Sequence, residues 1–204
     1  GKNANLGELR NMLAMPVPRG FAITIRAGSF FLLRTPGLFK SLFALLKCVD
    51  SEKPSLIADI SRQVEELVLA APIPAEVERA LSAEWDAAFG KDTGVVVALR
   101  SSALADDGVQ SFAGQYRSIL GVTRQDFLSA FKKVVASLFS PRALTYRAEH
   151  GYDLDATGMG LCCVEMVRAK AAGVAFSRHP VDLRSNATVI NGLWGLGEMV
   201  VDGS

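Results

Sequence analysis

Apolar residues recur at helical spacing through the first ninety positions of the chain. Leu6, Leu9 and Leu13 predict a first helix, which ends before Pro16 and Pro18. Three further apolar stripes indicate helices that pack against a core and expose charged faces, and we assign them no chemistry. These stripes lie at 37–49, at 55–71 before two prolines, and at 77–89.

Short apolar runs replace this pattern after about residue 92. Val95 to Leu99 is a continuous apolar run, which is typical of a strand buried on both faces. Further strands are predicted at 21–25, 116–122, 161–167, 173–176 and 188–193, and further helices at 127–138 and 141–150. The expected fold class is therefore α+β (α/β). A helix-rich part covers 1–92 and contains the strand 21–25, and a sheet-rich part covers 93–204.

The composition is that of an ordinary globular chain, with 50% hydrophobic and 21% charged residues among 204. The formal net charge is only +1, so the chain lacks the overall basic signature of non-specific nucleic-acid binding. The most apolar stretch, 27–49, contains Arg34, Pro36 and two lysines, which makes it a poor candidate for crossing a membrane. We therefore expect neither a nucleic acid nor a membrane as a partner.

Cys48, Cys162 and Cys163 contain no CxxC spacing, and three cysteines cannot all pair within one chain. This usage predicts reduced thiols in a cytoplasmic protein and no zinc site. The chain does not begin with Met and stops at Ser204, soon after an apolar run. We expect it to be a piece of a longer protein, with some of the chemistry outside it.

Two cations stand where a phosphate could bind. Lys2 lies at the start of the first predicted helix, whose first turn offers free backbone N–H groups and the positive end of the helix dipole. Arg100 follows the strand 95–99, at the strand end where open α/β sheets bind ligands, and Ser101 and its neighbour bring two hydroxyls beside it. A guanidinium matches phosphate oxygens in shape and charge. The alternatives are a solvated terminal lysine and an arginine that caps a helix C-terminus or pairs with a nearby aspartate.

Two glycine-containing tracts could approach a nucleotide. In the first, Ser111 to Gln115, Gly114 permits a positive φ and a close backbone approach, so the loop either folds over a triphosphate or connects a hairpin. The second tract, 191–198, either lines a nucleotide cleft or makes a tight turn. His179 precedes a proline, which indicates a loop histidine without a catalytic role.

The order of these motifs is more informative than any one of them. They occur at 2–9, 17–24, 98–107, 111–115, 172–180 and 194–198. This series resembles the N-terminal nucleotide-binding domain of the phosphoenolpyruvate synthase and pyruvate phosphate dikinase family, which has an ATP-grasp-like fold. The resemblance extends over the whole chain.

The resemblance implies an ATP site between two lobes. Lys2 and Arg100 match the family's phosphate-binding lysine and arginine, to which a catalytic role is assigned, and Ser101 belongs to the same motif. The loop 111–115 matches the family's loop over the phosphates. The family's hinge segment, whose backbone meets the adenine, is matched by Glu165, Met166 and Val167.

The resemblance also implies a mechanism that is shared between domains. In the family, ATP phosphorylates a histidine on a separate swivelling domain, and the phosphohistidine passes its phosphoryl group to pyruvate or, in relatives, to another acceptor. The chain is thus expected to be the ATP-binding part of an ATP-dependent phosphotransferase. The phosphohistidine domain and the pyruvate- or phosphoenolpyruvate-binding domain are its expected partners in the parent chain. Mg²⁺ is the expected second cofactor, with ligands outside these residues.

Two alternatives stay open at this stage. A relative that phosphorylates a rifamycin antibiotic or a glucan would have a similar nucleotide-binding half. A non-catalytic nucleotide-binding module is favoured by Val164, which stands where the family usually has Gln, and by the unmatched acidic metal ligands. Lys2 and Arg100 favour a working site.

Overall fold

The first five helices of the computed structural model precede all of its strands except the first. The structure describes residues 2–90, 92, 94–103, 116–151, 158–182, 184–197 and 200. The helices are α1 Lys2–Asn11, α2 Ile25–Arg34, α3 Leu38–Leu46, α4 Pro54–Ala70, α5 Ala75–Phe89, α6 Phe127–Ala136 and α7 Pro141–His150, with a 3-10 turn at Ser137–Phe139. The strands are β1 Gly20–Ile23, β2 Val97–Ala103, β3 Ser118–Val122, β4 Met159–Glu165, β5 Ala171–Phe176 and β6 Val189–Trp194. The predicted α+β class is confirmed.

Helical periodicity correctly predicts which side of a helix is buried. In α5 the four residues of the predicted stripe, Val77, Leu81, Trp85 and Phe89, are the buried ones. They repeat every four residues, which keeps them on one side of a helix with 3.6 residues per turn. The opposite side, which carries the charged residues, is left to solvent.

Helix α2 was not predicted. The strand expected at 21–25 ends at Ile23, and the chain is helical from Ile25 onward. The apolar residues of α2 are contiguous instead of spaced, and Gly28 lowers its intrinsic helix propensity. Packing stabilises it instead: Phe31 is fully buried, and a Cβ on Gly28 would stand 3.4 Å from the carbonyl oxygen of Met159 in β4.

The four-stranded sheet is antiparallel throughout, with the strand order β1-β4-β2-β3. Helix α2 packs on β4, α5 on β1, and α6 on β2 and β3, while α4 packs on α3, α6 and α7. The core therefore lies between one face of this sheet and the helices. Fully buried side chains at its centre include Trp85, Phe127, Leu99, Leu161 and Val64.

The chain forms two compact units, residues 1–166 and 167–204. The second contains an antiparallel hairpin in which Ala171 of β5 pairs with Trp194 of β6. The boundary between these units lies between Met166 and Val167. The division at 92/93 that the sequence suggested stays a prediction.

In the part of the chain that the structure describes, no helix alone has the length and apolar character to cross a membrane. Helices α2 and α3 have that length and apolar character when they are taken together, but the two helices are bent by 95° where they meet.

Candidate functional site

Register in the four-stranded sheet assigns alternate residues to two faces. Leu99 and Cys163 are paired across β2 and β4, and both are fully buried on the side of the helices. At the next position Arg100, Cys162 and Ala22 are paired across β2, β4 and β1, and their side chains point to the other side. We call these the helix face and the open face.

A cavity of about 400 Å³ lies between α1 and the open face. Asn3, Gly7 and Arg10 line it from α1, and Cys162 and Val164 line it from β4. The neighbouring open-face residues of β1 are a glycine and an alanine. Side chains this small leave space that bulky residues would fill.

Arg100 lies in the middle of β2 on the open face, opposite Cys162, which lines this cavity. It is exposed, and it is paired with Cys162 of β4 and Ser118 of β3. The expectation that it follows the end of a strand in an open α/β sheet is corrected. The sheet is antiparallel, and β2 continues to Ala103 because its last residues remain paired with β4.

The start of α1 lies against the same stretch of β4. The side-chain amide of Asn3 donates a hydrogen bond of 3.2 Å to the carbonyl oxygen of Leu161. Leu161 directly precedes Cys162, which is opposite Arg100. The start of α1 and Arg100 are thus each adjacent to the same two residues of β4, Leu161 and Cys162; the side chain of Lys2 lies outside the described part.

Ser101 is not beside the Arg100 guanidinium, contrary to expectation. Its side chain is only 5% exposed and lies on the helix face, where Ser101 pairs with Leu161. Successive residues of a strand point to opposite sides, so once β2 includes Ser101, its hydroxyl points away from Arg100. Ser102 is the neighbouring hydroxyl that shares the open face.

Residues 165–167 leave the end of β4 next to the cavity-lining Val164. The N–H of Glu165 donates to the carbonyl oxygen of Arg19 at 2.8 Å, and the N–H of Met166 donates to that of Val96 at 2.9 Å. The Glu165 carboxylate accepts two hydrogen bonds from the Arg19 guanidinium, at 2.7 and 2.9 Å. These bonds lower the pKa of Glu165 and raise that of Arg19.

Two further features singled out in the sequence are the predicted phosphate loop and His179. Ser111, Gly114 and Gln115 of the predicted phosphate loop lie outside the described residues. The ring of His179 accepts backbone N–H groups at Nδ1 from Val181 at 3.3 Å and from Asp182 at 2.9 Å, so it stabilises a turn. Within the described ranges, no three His, Cys, Asp or Glu side chains come together as metal ligands would. No step is therefore assigned to a metal ion held by these residues.

A larger cavity, of about 470 Å³, is lined by residues of β1, α2 and α5. Its charged lining groups are Glu76, Glu84 and Arg26, and the rest of the lining is mainly apolar. Two carboxylates against one guanidinium would repel a polyphosphate. The smaller cavity is therefore the better candidate for an anionic ligand.

A comparison with protein families identifies the chain. Residues 1–204 match the family model described as pyruvate phosphate dikinase, AMP/ATP-binding domain. The chain belongs to this family. The sequence resemblance to the phosphoenolpyruvate synthase and pyruvate phosphate dikinase group is thereby confirmed.

Several relatives of this AMP/ATP-binding domain are similar over its full length. It is 36% identical over 210 residues to a probable phosphoenolpyruvate synthase of Staphylothermus marinus and 36% identical over 211 residues to a phosphoenolpyruvate synthase of Escherichia coli. It is 35% identical over 205 residues to a rifampicin phosphotransferase of Bacillus cereus. All of this chain is aligned in each case, but it spans only 25%, 26% and 23% of those proteins.

Proposed function

We propose that this chain is the ATP-binding part of a dikinase-type phosphotransferase, with an ATP-grasp-like fold, and that it binds ATP on the open face of the sheet. One observation carries the proposal: in a chain of this family, the start of α1 is hydrogen-bonded to Leu161 of β4, directly before Cys162, which lines the cavity and pairs with Arg100. A helix N-terminus attracts an anion through its dipole and N–H groups, and a guanidinium binds phosphate oxygens with two donors.

In this proposal Lys2 and Arg100 bind the phosphates together, with Ser111, Gly114 and Gln115 in the loop over them. The base lies toward residues 165–167. Since the N–H groups of Glu165 and Met166 already have carbonyl partners, we expect the base to use the Val167 amide or the carbonyl groups of this segment. In the proposal Ser101 contributes less to phosphate binding than Lys2 and Arg100, because its hydroxyl points to the helix face.

The remaining chemistry belongs to the parent protein. We propose that ATP phosphorylates a histidine on a separate swivelling domain, and that this phosphohistidine serves pyruvate in a phosphoenolpyruvate synthase or pyruvate phosphate dikinase. Mg²⁺, when bound, would neutralise charge on the phosphates, through ligands outside the residues described. A cytoplasmic location is part of the proposal, supported by three cysteines that form no disulfide.

A second acceptor class is favoured by one comparison. The Bacillus cereus relative is named a rifampicin phosphotransferase and is as similar to the chain as the phosphoenolpyruvate synthases are. An ATP-binding part with an antibiotic as its final acceptor is therefore the second candidate. A non-catalytic nucleotide-binding module is the third.

Calorimetric titration of the chain with ATP and with adenosine tests the proposal. ATP should bind, and more tightly than adenosine, because only ATP presents phosphates to Lys2 and Arg100. Absence of ATP binding, or equal affinities, would contradict the phosphate site.

Incubation with ATP, Mg²⁺ and pyruvate tests the division of labour between domains. The chain should release no AMP above the rate of a Lys2→Ala variant, because the acceptor histidine is not in it. Clear turnover would show that the acceptor lies within these residues. The parent chain should instead turn over ATP with pyruvate or with a rifamycin, which separates the first two candidates.

A further inference from the structure

The exit of β4 is hydrogen-bonded to all three of the other strands or to residues directly before them. Glu165 is bonded to Arg19, directly before β1, and Met166 is bonded through its N–H to Val96, directly before β2. The Met166 sulfur accepts the N–H of Gly121 in β3, at 3.1 Å. The peptide groups that follow Val164 are therefore held from three directions.

Arg19 makes the most extensive of these contacts. Its carbonyl oxygen accepts the N–H of Glu165 at 2.8 Å, and its Nε and Nη2 donate to the two carboxylate oxygens of the same residue at 2.7 and 2.9 Å. A two-point guanidinium–carboxylate contact restricts orientation as well as distance. Backbone and side chain of one residue thus hold backbone and side chain of another.

Arg19 is itself supported from the helix face. Its guanidinium carbon lies 5.7 Å from the ring centre of Phe89, and its Nη2 lies 3.9 Å from the Asp92 carboxylate. Glu165 pairs with the buried Val97, so its side chain belongs to the helix face as well. The carboxylate is accordingly held on the helix face, away from the cavity, so Glu165 can offer a ligand on the open face only its backbone.

The cavity side of the segment offers no polar side chain to replace that backbone. Val164, which lines the cavity, is apolar and half-buried. Within this segment, recognition of a base would therefore depend on the positions of its peptide groups. Anything that fixes those positions therefore acts on the ligand without touching it.

We propose that Arg19 is a positioning residue for the nucleotide, because its contacts with Glu165 hold the peptide groups of residues 165–167 in the orientation that the base requires. The inference rests on the proposed function of the open face. Arg19 touches neither the ligand nor the phosphates, so its effect should be the same for every ligand that carries the base.

The test compares Arg19→Met with Arg62→Met as a matched control. Arg62 also makes an exposed ion pair, with Glu66 at 3.0 Å, but within α4 and away from the open face. The first measurement is amide hydrogen exchange of residues 165–167 in the nucleotide-free chain. Arg19→Met should speed this exchange by roughly two- to fivefold, the range for an exposed ion pair, and Arg62→Met should not change it.

The second measurement is the affinity for adenosine and for ATP, at a temperature where all variants are folded. Arg19→Met and Glu165→Gln should weaken both ligands by the same factor, roughly two- to fivefold. The double variant should lose little more than either alone, since both remove one interaction. Arg19→Lys should recover part of the loss, because it restores the charge without the two-point contact.

The outcomes separate this inference from the proposed function. If the unaltered chain binds neither ligand, the proposed function is wrong and the inference is wrong with it. If the unaltered chain binds both and Arg19→Met binds them equally well, the inference alone is overturned. A loss confined to ATP would also overturn it, because Arg19 would then be acting on phosphate.

Discussion

The two faces of the four-stranded sheet are built from alternate residues of the same strands, yet they have different properties. On the helix face, Val97, Leu99, Leu161 and Cys163 are all completely buried. On the open face, Arg100 of β2 and Gly20 and Ala22 of β1 are exposed, although Cys162 of β4 between them is buried, and small residues leave a cavity of about 400 Å³.

This difference indicates a division of roles within single strands. Close packing on the helix face makes every methylene contribute to stability. The open face buries fewer side chains completely, so packing constrains its residues less and they can take part in binding. Substitutions one position apart in a strand should therefore affect different quantities: the free energy of unfolding on the helix face, and ligand affinity on the open face.

The largest effect is expected for Leu161→Ala on the helix face. The substitution leaves a cavity in the core and should lower the free energy of unfolding by about 2–5 kcal/mol. Val164→Ala, on the open face of the same strand, should cost less than about 1.5 kcal/mol, because the side chain is only half-buried beside an existing cavity. Urea unfolding measures both, and equal losses would mean that the two faces are packed alike.

A large loss of stability on the open face is expected only where backbones approach closely. A Cβ on Gly20 would stand 2.2 Å from the carbonyl oxygen of Cys163, so Gly20→Ala must displace β1 from β4. We expect a loss of about 1–3 kcal/mol, as for other overpacked sites.

Gly7→Ala is the matched control for Gly20→Ala. Gly7 lies within α1, and a Cβ there meets nothing within 4 Å. The change should stabilise the chain by about 0.5–1 kcal/mol through helix propensity. Thermal unfolding of the two variants should thus shift in opposite directions; a shift in the same direction would contradict the close approach at Gly20.

Arg100→Ala should change binding and leave stability nearly unaltered. The side chain is exposed, so unfolding should change by less than about 0.5 kcal/mol. The affinity for ATP should fall about 10- to 150-fold, the value of one charge-assisted contact, while the affinity for adenosine stays the same. Arg100→Lys should rescue only part of the loss. Titration calorimetry of ATP and adenosine decides the matter: equal losses for both ligands would give Arg100 a structural role.

Lys2→Ala, at the start of α1, should act like Arg100→Ala. It should weaken ATP and leave adenosine unchanged, because the proposed contact is again with phosphate. The loss should be the smaller of the two, since the backbone N–H groups of the helix start remain in the variant. Titration of both ligands checks this, and a loss for adenosine would place Lys2 near the base.

The smallest effect concerns the thiols. Burial on the helix face raises the pKa of Cys163 from 9.0 to about 12, whereas Cys48 is exposed. Iodoacetamide at pH 8.5 should therefore modify Cys48 and leave Cys163 intact until the chain unfolds. Peptide mass spectrometry reads this directly, and modification of native Cys163 would contradict the burial of the helix face.

The raised pKa of Cys163 also sets the sign of a pH effect on stability. Above pH 9.0 the unfolded chain releases the Cys163 proton, while the folded chain keeps it until about pH 12. The free energy of unfolding contributed by this thiol should therefore fall across that interval. Cys163→Ala should remove this part of the pH dependence.

Local sequence patterns predicted the structure correctly where a local rule determines it. The stripe of α5 is buried as predicted. The side chain of Ser140 accepts the N–H of Ala143 at the start of α7, as its place before a proline suggests. The ordered motifs were sufficient to identify the family, because the order of motifs can be compared without knowing which residues are in contact.

The end of β2 was not predictable by the same means. Arg100 to Ser102 are polar, so an apolar run ends at Leu99. The strand continues because these residues are paired with β4, a partner about sixty positions away in the chain. Because β2 continues past Leu99 to Ala103, Arg100 and Ser101 point to opposite faces.

The helices with regular stripes, most of the strands, the α+β class and the family could be predicted from the sequence. Which residues surround the site depends on tertiary contacts. The Asn3–Leu161 and Arg19–Glu165 contacts join residues 158 and 146 positions apart. Periodicity reports only on neighbours along the chain, whereas such pairs form when packing of the helices brings distant strands into one sheet.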